Sequence, residues 1–157
     1  MSELDEVVNE FNNLNLELAN VTKKFREKAK VLLSAKMKEF FKDHPNVEWI
    51  GWTQYTPYFN DGDECIFRVN DLHFGYENPE DVYSPYDGVC VGYSKVYGYE
   101  NPDGRTFEEV YKDFNAVKDV ERTLFSIGED TFKVLFGDHK FIRISKAGID
   151  ILDYDHD

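Results

Sequence analysis

The chain has 157 residues, of which 16% are aromatic and 31% charged, and a formal net charge of -13. This length suits one domain of ordinary size, with room for an appendage, and so many aromatic residues argue against disorder despite the charge. An acidic body repels phosphates, which excludes direct nucleic-acid binding as an expectation, and no segment approaches the roughly 20 apolar residues of a membrane span.

The charge is unevenly placed. Residues Ser2 to His44 carry 8 Lys or Arg and 8 Asp or Glu, whereas the chain from Pro45 onward carries 10 against 23. The acidity therefore belongs to the body of the protein, whose surface would suit a basic partner; plain solubility is the simpler alternative. Cys65 and Cys90 are too few for a disulfide framework, and the opening MSELDEVV lacks both the basic end and the apolar stretch of a signal peptide. The expectation is a cytoplasmic protein with reduced thiols.

Residues 3 to 43 contain no Gly or Pro and read as one long helix that stops before Pro45. Leu4, Phe11, Leu18 and Phe25 recur every seven residues, with Val7, Leu14 and Val21 three places after the first three, an a/d stripe of about three heptads. The second series breaks at Lys28, where a wider apolar face of Ala29, Leu32, Leu33, Met37, Phe40 and Phe41 takes over. We therefore divide the chain into a helix at 1–44, coiled-coil-like in its first half, and an acidic α+β domain at 45–157. Acids (Glu3, Asp5, Glu6, Glu10, Glu17) precede Lys23 and bases follow it, in line with the helix dipole and suited to antiparallel pairing of two such helices. Self-association through the seam is the expectation; packing of the stripe on the protein's own sheet is the alternative.

The stretch from Val47 to Phe74 holds both tryptophans. Two β-prone runs, Val47 to Tyr58 and Cys65 to Phe74, flank an Asn60, Asp61, Gly62, Asp63 turn signal and predict a β-hairpin. Apolar residues on both faces of the first run suit a strand covered on both sides. In the second run Cys65, Phe67 and Val69 have one parity and Leu72 and Phe74 the other, so one extra residue near Asn70 and Asp71, a β-bulge, is expected.

The sequence GYENP then occurs twice, at Gly75 to Pro79 and at Gly98 to Pro102, each reading as a turn, with a short strand expected within Val89 to Tyr97. Tyr76, Tyr83, Tyr86, Tyr93, Tyr97 and Tyr99 crowd this region and form a candidate partner-binding surface, since tyrosine offers large contact area at low entropy cost. Thr106 and Glu109 make a capping box for a helix to about Ile127, ended by Gly128. Asp130 would cap a short helix at Thr131 to Phe136, although the alternation of Phe132, Val134 and Phe136 also permits a strand. Lys140 to Ser145 and Ile149 to Tyr154 read as strands joined by a tight turn, and a polar DYDHD tail closes the sequence.

No phosphate loop, dinucleotide fingerprint, HExxH, CxxC or nucleophile elbow is present. One constellation remains: Asp61 and Asp63 in the hairpin loop, Asp138 with His139, and Asp153, Asp155 and His156 near the end. Carboxylates with imidazoles suit a divalent Zn, Mn or Fe ion, provided that the loop, the helix end and the last residues meet at one edge of the sheet. Turn chemistry and solvated acids explain the same residues without a metal.

The run Trp52 to Phe67, WTQYTPYFNDGDECIF, together with LFGDH (Leu135 to His139) and YDHD (Tyr154 to Asp157), resembles an uncharacterised family of small proteins from bacteria and tailed phages. The resemblance covers the chain from about residue 30 and supplies no activity or catalytic residue. Where a phage carries such a gene, it implies an accessory protein acting on host machinery in the host cytoplasm. The expected architecture is α+β, a mainly antiparallel sheet of four to five strands with helices on one face and a long N-terminal helix. The expected function is a non-enzymatic, acidic adaptor or inhibitor; a metal-dependent hydrolase and a structural oligomer are the alternatives.

Overall fold

The computed structural model describes residues 2–59, 61–92 and 107–156. Its fold is α+β. Six antiparallel strands, β1 (Trp49–Tyr55), β2 (Arg68–Val69), β3 (His73–Gly75), β4 (Val89–Cys90), β5 (Lys140–Ser145) and β6 (Gly148–Asp153), form one sheet in the order β4-β3-β1-β5-β6, with β2 also paired to β1. Among the described residues four α-helices accompany it: α1 (Glu3–Asp43), α2 (Phe107–Val110), α3 (Phe114–Phe125) and α4 (Glu129–Phe136).

β1 is the organising strand because it is covered on both faces. Ile50, Trp52 and Gln54 point toward the helices, into a core with Met37, Phe41, Phe114, Val117, Phe132 and Ile142. The opposite parity places Trp49 in a second small cluster with Val82 and Phe141. Both tryptophans are fully buried. Period-two alternation with apolar residues at both parities is what a two-sided strand requires.

The bulge is present where the parity change demanded it. Gln54 pairs with Val69 while Gly51 pairs with His73, so two residues of β1 oppose three of the returning chain, Asn70, Asp71 and Leu72. Carboxylates from the helix layer satisfy two amides of this irregular arm. Glu121 accepts from the Leu72 amide and Glu129 from the Val69 amide, each at 2.8 Å. Burial, with the nearby Asp71 charge adding to it, raises the Glu121 carboxyl above its ordinary range despite the Leu72 amide bond. The arm predicted from Cys65 is shorter than expected, because Cys65 to Phe67 lie outside any strand.

α1 begins at a Ser2 and Asp5 capping box, two side chains satisfying each other's backbone donors. Every residue from Ser2 to Val21 is exposed, and only the second half of α1, through Met37 and Phe41, enters the core. Arg26 marks the transition, its Nε donating to the Val134 carbonyl of α4 at 2.6 Å. Among the described residues the first heptads do not pack on the protein's own sheet.

Two helix expectations need correction. The single helix expected to run to Ile127 is interrupted at Tyr111 to Asp113, because the Asp113 carboxylate is recruited by His44 and Tyr76 instead of capping α3. Thr106 of the expected capping box lies outside the described residues, as do Tyr93 to Tyr97 of the expected strand and the second GYENP. Residues 129–136 are helical, but Gly128 at φ 101° rather than Asp130 occupies the cap, and Gly137 at φ 90° ends the helix as expected.

Candidate functional site

The segments WTQYTPYF, LFGDH and the YDH of residues 154–156 meet at one corner of the sheet. β1 ends there, α4 hands over to β5 there, and the chain returns to it after β6. Gln54 Nε2 donates to the Phe132 and Gly137 carbonyls at 2.9 and 2.7 Å, fixing the end of α4 on β1. Asp138 then accepts from the Thr56 amide at 2.7 Å, the Thr56 hydroxyl at 2.6 Å and the His139 amide at 2.8 Å. His139 takes φ 56°, a left-handed conformation uncommon for a side-chain-bearing residue.

Tyr154 and His156 of the polar tail pack into this corner, while Asp153 and Asp155 stay exposed. The His156 ring stacks between Tyr55 and Tyr58, with centroids 3.8 and 4.3 Å away, and Tyr58 also stacks on His139 at 4.9 Å. His139 Nδ1 and His156 Nε2 lie 2.6 Å apart, so one supplies an N–H and the other a lone pair. The sequence hid these contacts because ring stacking between residues about a hundred positions apart leaves no local pattern.

The metal set is only partly assembled. Asp138, His139 and His156 converge, whereas Asp61 and Asp63 are exposed loop acids, Asp61 at φ 44° beside Gly62. Asp155 is exposed, and Asp153 pairs with Lys140. Among the described residues no group of three or more His, Cys, Asp and Glu has the geometry to hold a metal ion. Both oxygens of Asp138 accept from Thr56, and the facing imidazole nitrogens bond each other.

Asp138 instead contributes a pH-dependent fastening. Burial opposes ionisation, but the Thr56 hydroxyl and amide and the His139 amide outweigh it and hold the carboxyl below its ordinary value. A depressed folded value means stability present above the unfolded value near 3.8 and lost as pH falls through the lower, folded one. Thr56→Val should therefore lower the urea midpoint at pH 7, with a gap from the parent protein that narrows below about pH 4. Urea curves at pH 7 and pH 2.5 with the same gap would show that the hydroxyl is not acting through the carboxylate.

The second candidate surface is the segment after β3. Tyr83 and Tyr86 are 74% and 77% exposed, whereas Tyr76 is 39% exposed and its hydroxyl donates to Asp113 at 3.2 Å. Tyr93, Tyr97 and Tyr99 lie outside the described residues. Between Gly75 and Cys90 stand Glu77, Glu80, Asp81 and Asp87 with no Lys or Arg. The segment is firmly held. Asn78 and Ser84 cap two short 3-10 turns, Val82 and Pro85 are buried, and Arg143 donates to the Pro79 and Val82 carbonyls while pairing with Asp150. Trp49 lies directly beneath: a Cβ on Gly75 would sit 2.4 Å from its Nε1, and one on Gly88 2.5 Å from its ring, while Nε1 itself donates to Glu77.

One polar network was not anticipated. Asp113, 4% exposed, accepts from Tyr76 and lies 2.9 Å from His44 Nδ1, and His44, the cap residue of α1, stacks on Phe40. The Tyr76 hydroxyl is pushed well above its ordinary range by burial and by Asp113. A lone His before a Pro and an Asp inside a helical pattern give no sign of meeting.

Compared with models of known protein families, with curated proteins and with solved structures, the chain matches none. Among the described residues no helix is long and apolar enough to cross a membrane.

Proposed function

We propose that this chain is a non-enzymatic interaction protein, an acidic adaptor or inhibitor that engages a basic surface on a partner protein through the segment after β3. The supporting observation is a firmly held segment in which exposed Tyr83 and Tyr86 are flanked by Glu80, Asp81 and Asp87 and whose own sequence has no Lys or Arg. A carboxylate attracts Lys and Arg at a distance, and a tyrosine face receives the cation at contact. Because the segment is already ordered, little entropy is lost on binding. The interleaved rings favour Arg-rich or Lys-rich protein over simple mimicry of a phosphate array. On the resemblance to bacterial and tailed-phage proteins, the partner would be part of the host machinery, met in the host cytoplasm during counter-defence or takeover.

The test is an affinity capture from the native host with graded variants. Tyr83→Ala and Tyr86→Ala should each weaken capture of a basic protein by roughly tenfold, the effect of a modest aromatic anchor. Neutralising Glu80, Asp81 and Asp87 singly should cost about 1 kcal/mol or less each, and together with added salt should abolish capture progressively. Undiminished capture by the Tyr83→Ala, Tyr86→Ala double variant would remove this surface from consideration.

A further inference from the structure

The first half of α1 carries an apolar stripe that is exposed along its length. The seven seam residues, Leu4 to Phe25, are between 43% and 72% exposed, on a helix in which every residue from Ser2 to Val21 is exposed. That half alone projects about 30 Å at 1.5 Å per residue. We propose that a second copy of this chain covers it, as an antiparallel two-helix coiled coil with its twofold axis near Leu16. This inference is independent of the acidic surface after β3.

Charge selects the orientation. A parallel pair would set Glu3, Asp5, Glu6 and Glu10 beside their own copies, whereas an antiparallel pair sets those acids beside the basic stretch that begins at Lys23. Spacing selects the register. In an antiparallel pair the two seam series face each other, so Leu14 meets Leu18 of the second copy, Phe11 meets Val21 and Val7 meets Phe25. The flanking positions then place Glu10 against Lys24 twice, on either side of one Glu17 pair at the axis. A shift of one heptad toward the N-terminus would set two Glu10–Glu17 repulsions against two Glu3–Lys24 attractions and leave Phe25 without a seam partner. A shift the other way would drive Lys28 into the middle of the seam opposite Phe11, an unpaired charge among apolar side chains.

The chosen register also ends where the structure requires it to end. Leu4 of one copy reaches Lys28 of the other, the position where the heptads fail, and the next residue, Ala29, already packs against the protein's own core. The second half of α1 is thus reserved for the domain and the first for the second copy. The two domains would lie at opposite ends of the paired helices, each presenting its own acidic surface, so a dimer would engage a repeated basic target twice.

Sedimentation equilibrium of the full chain should show a dimer at tens of micromolar. Leu14→Glu with Leu18→Glu should give a folded monomer, since neither side chain is part of the core. Glu10→Lys and Lys24→Glu should each weaken self-association by roughly tenfold, each reversal being felt twice, and the double reversal should restore it. Orientation is read by oxidative cross-linking: a mixture of Leu14→Cys and Leu18→Cys chains should form a disulfide-linked dimer that neither variant forms alone, with the parent protein as the control for Cys65 and Cys90. A full-length monomer at these concentrations, or Leu14→Cys linking to itself as a parallel pair would allow, overturns the proposal.

Discussion

Trp52→Ala should unfold the domain. The Trp52 ring makes edge-on contacts with Phe125, Phe132 and Phe136 at centroid distances of 5.9, 5.5 and 5.7 Å, so it joins α3 and α4 to the central strand. Its Nε1 donates to Gln54 Oε1 at 3.0 Å, and Gln54 in turn holds the Phe132 and Gly137 carbonyls. Truncating a buried Trp costs roughly 3 to 5 kcal/mol, and leaving the buried Gln54 oxygen without its donor adds about 1 kcal/mol or more. Against a typical total of about 5 to 15 kcal/mol, a domain of this size would lose most of its folded population. The far-ultraviolet circular dichroism melt is the measurement, and a melting temperature within a few degrees of the parent protein would show that Trp52 does not anchor the helices.

Trp49→Ala provides the contrast, since its ring is equally buried but faces the small cluster on the other side of the sheet. Its loss opens space beneath Gly75 and Gly88 and frees Glu77. The expected outcome is a folded protein with faster amide exchange in residues 75–88 and weakened binding of a basic partner. The two substitutions therefore separate the scaffold from the surface that it presents.

The legible parts of this fold are those whose signals are local. The Gly-free and Pro-free run to Asp43, the parity switch between Val69 and Leu72, and Gly137 at a helix end each carry their physical cause within a few residues, and α1, the bulge and the end of α4 are where those signals place them. Asp113 misled the reading because a carboxylate within an amphipathic pattern looks like a solvated helix position, whereas its partners come from the end of α1 and from the residue after β3. The corner built from Thr56, Asp138, His139 and His156 was half legible. Residue types put Asp138, His139 and His156 in one candidate set and gave no signal for Thr56, and where their hydrogen bonds go is decided only by the tertiary structure.

Asp113→Ala is the second substitution expected to have a large effect, because it removes the shared acceptor of two donors from different elements. His44 ends α1, Tyr76 follows β3, and Asp113 precedes α3, so one carboxylate fastens three parts of the chain around a nearly buried point. Leaving the His44 and Tyr76 donors without their shared acceptor costs roughly 1 to 3 kcal/mol, with the His44 side chain still 29% exposed. Tyr76→Phe removes a single hydroxyl contact and should cost only about 1 kcal/mol. The same network has an alkaline signature. A phenol raised in the folded state contributes stability that is complete below the unfolded value near 10 and lost as pH rises beyond it, first by ionisation of the unfolded chain. Asp113→Asn should bring the Tyr76 hydroxyl back toward the ordinary phenol range and flatten that alkaline loss, measured by tyrosine-labelled NMR titration alongside urea unfolding from pH 7 to 11. If Asp113→Ala stays within 1 kcal/mol of the parent protein and the Tyr76 titration does not move in Asp113→Asn, the three elements are held together by packing alone.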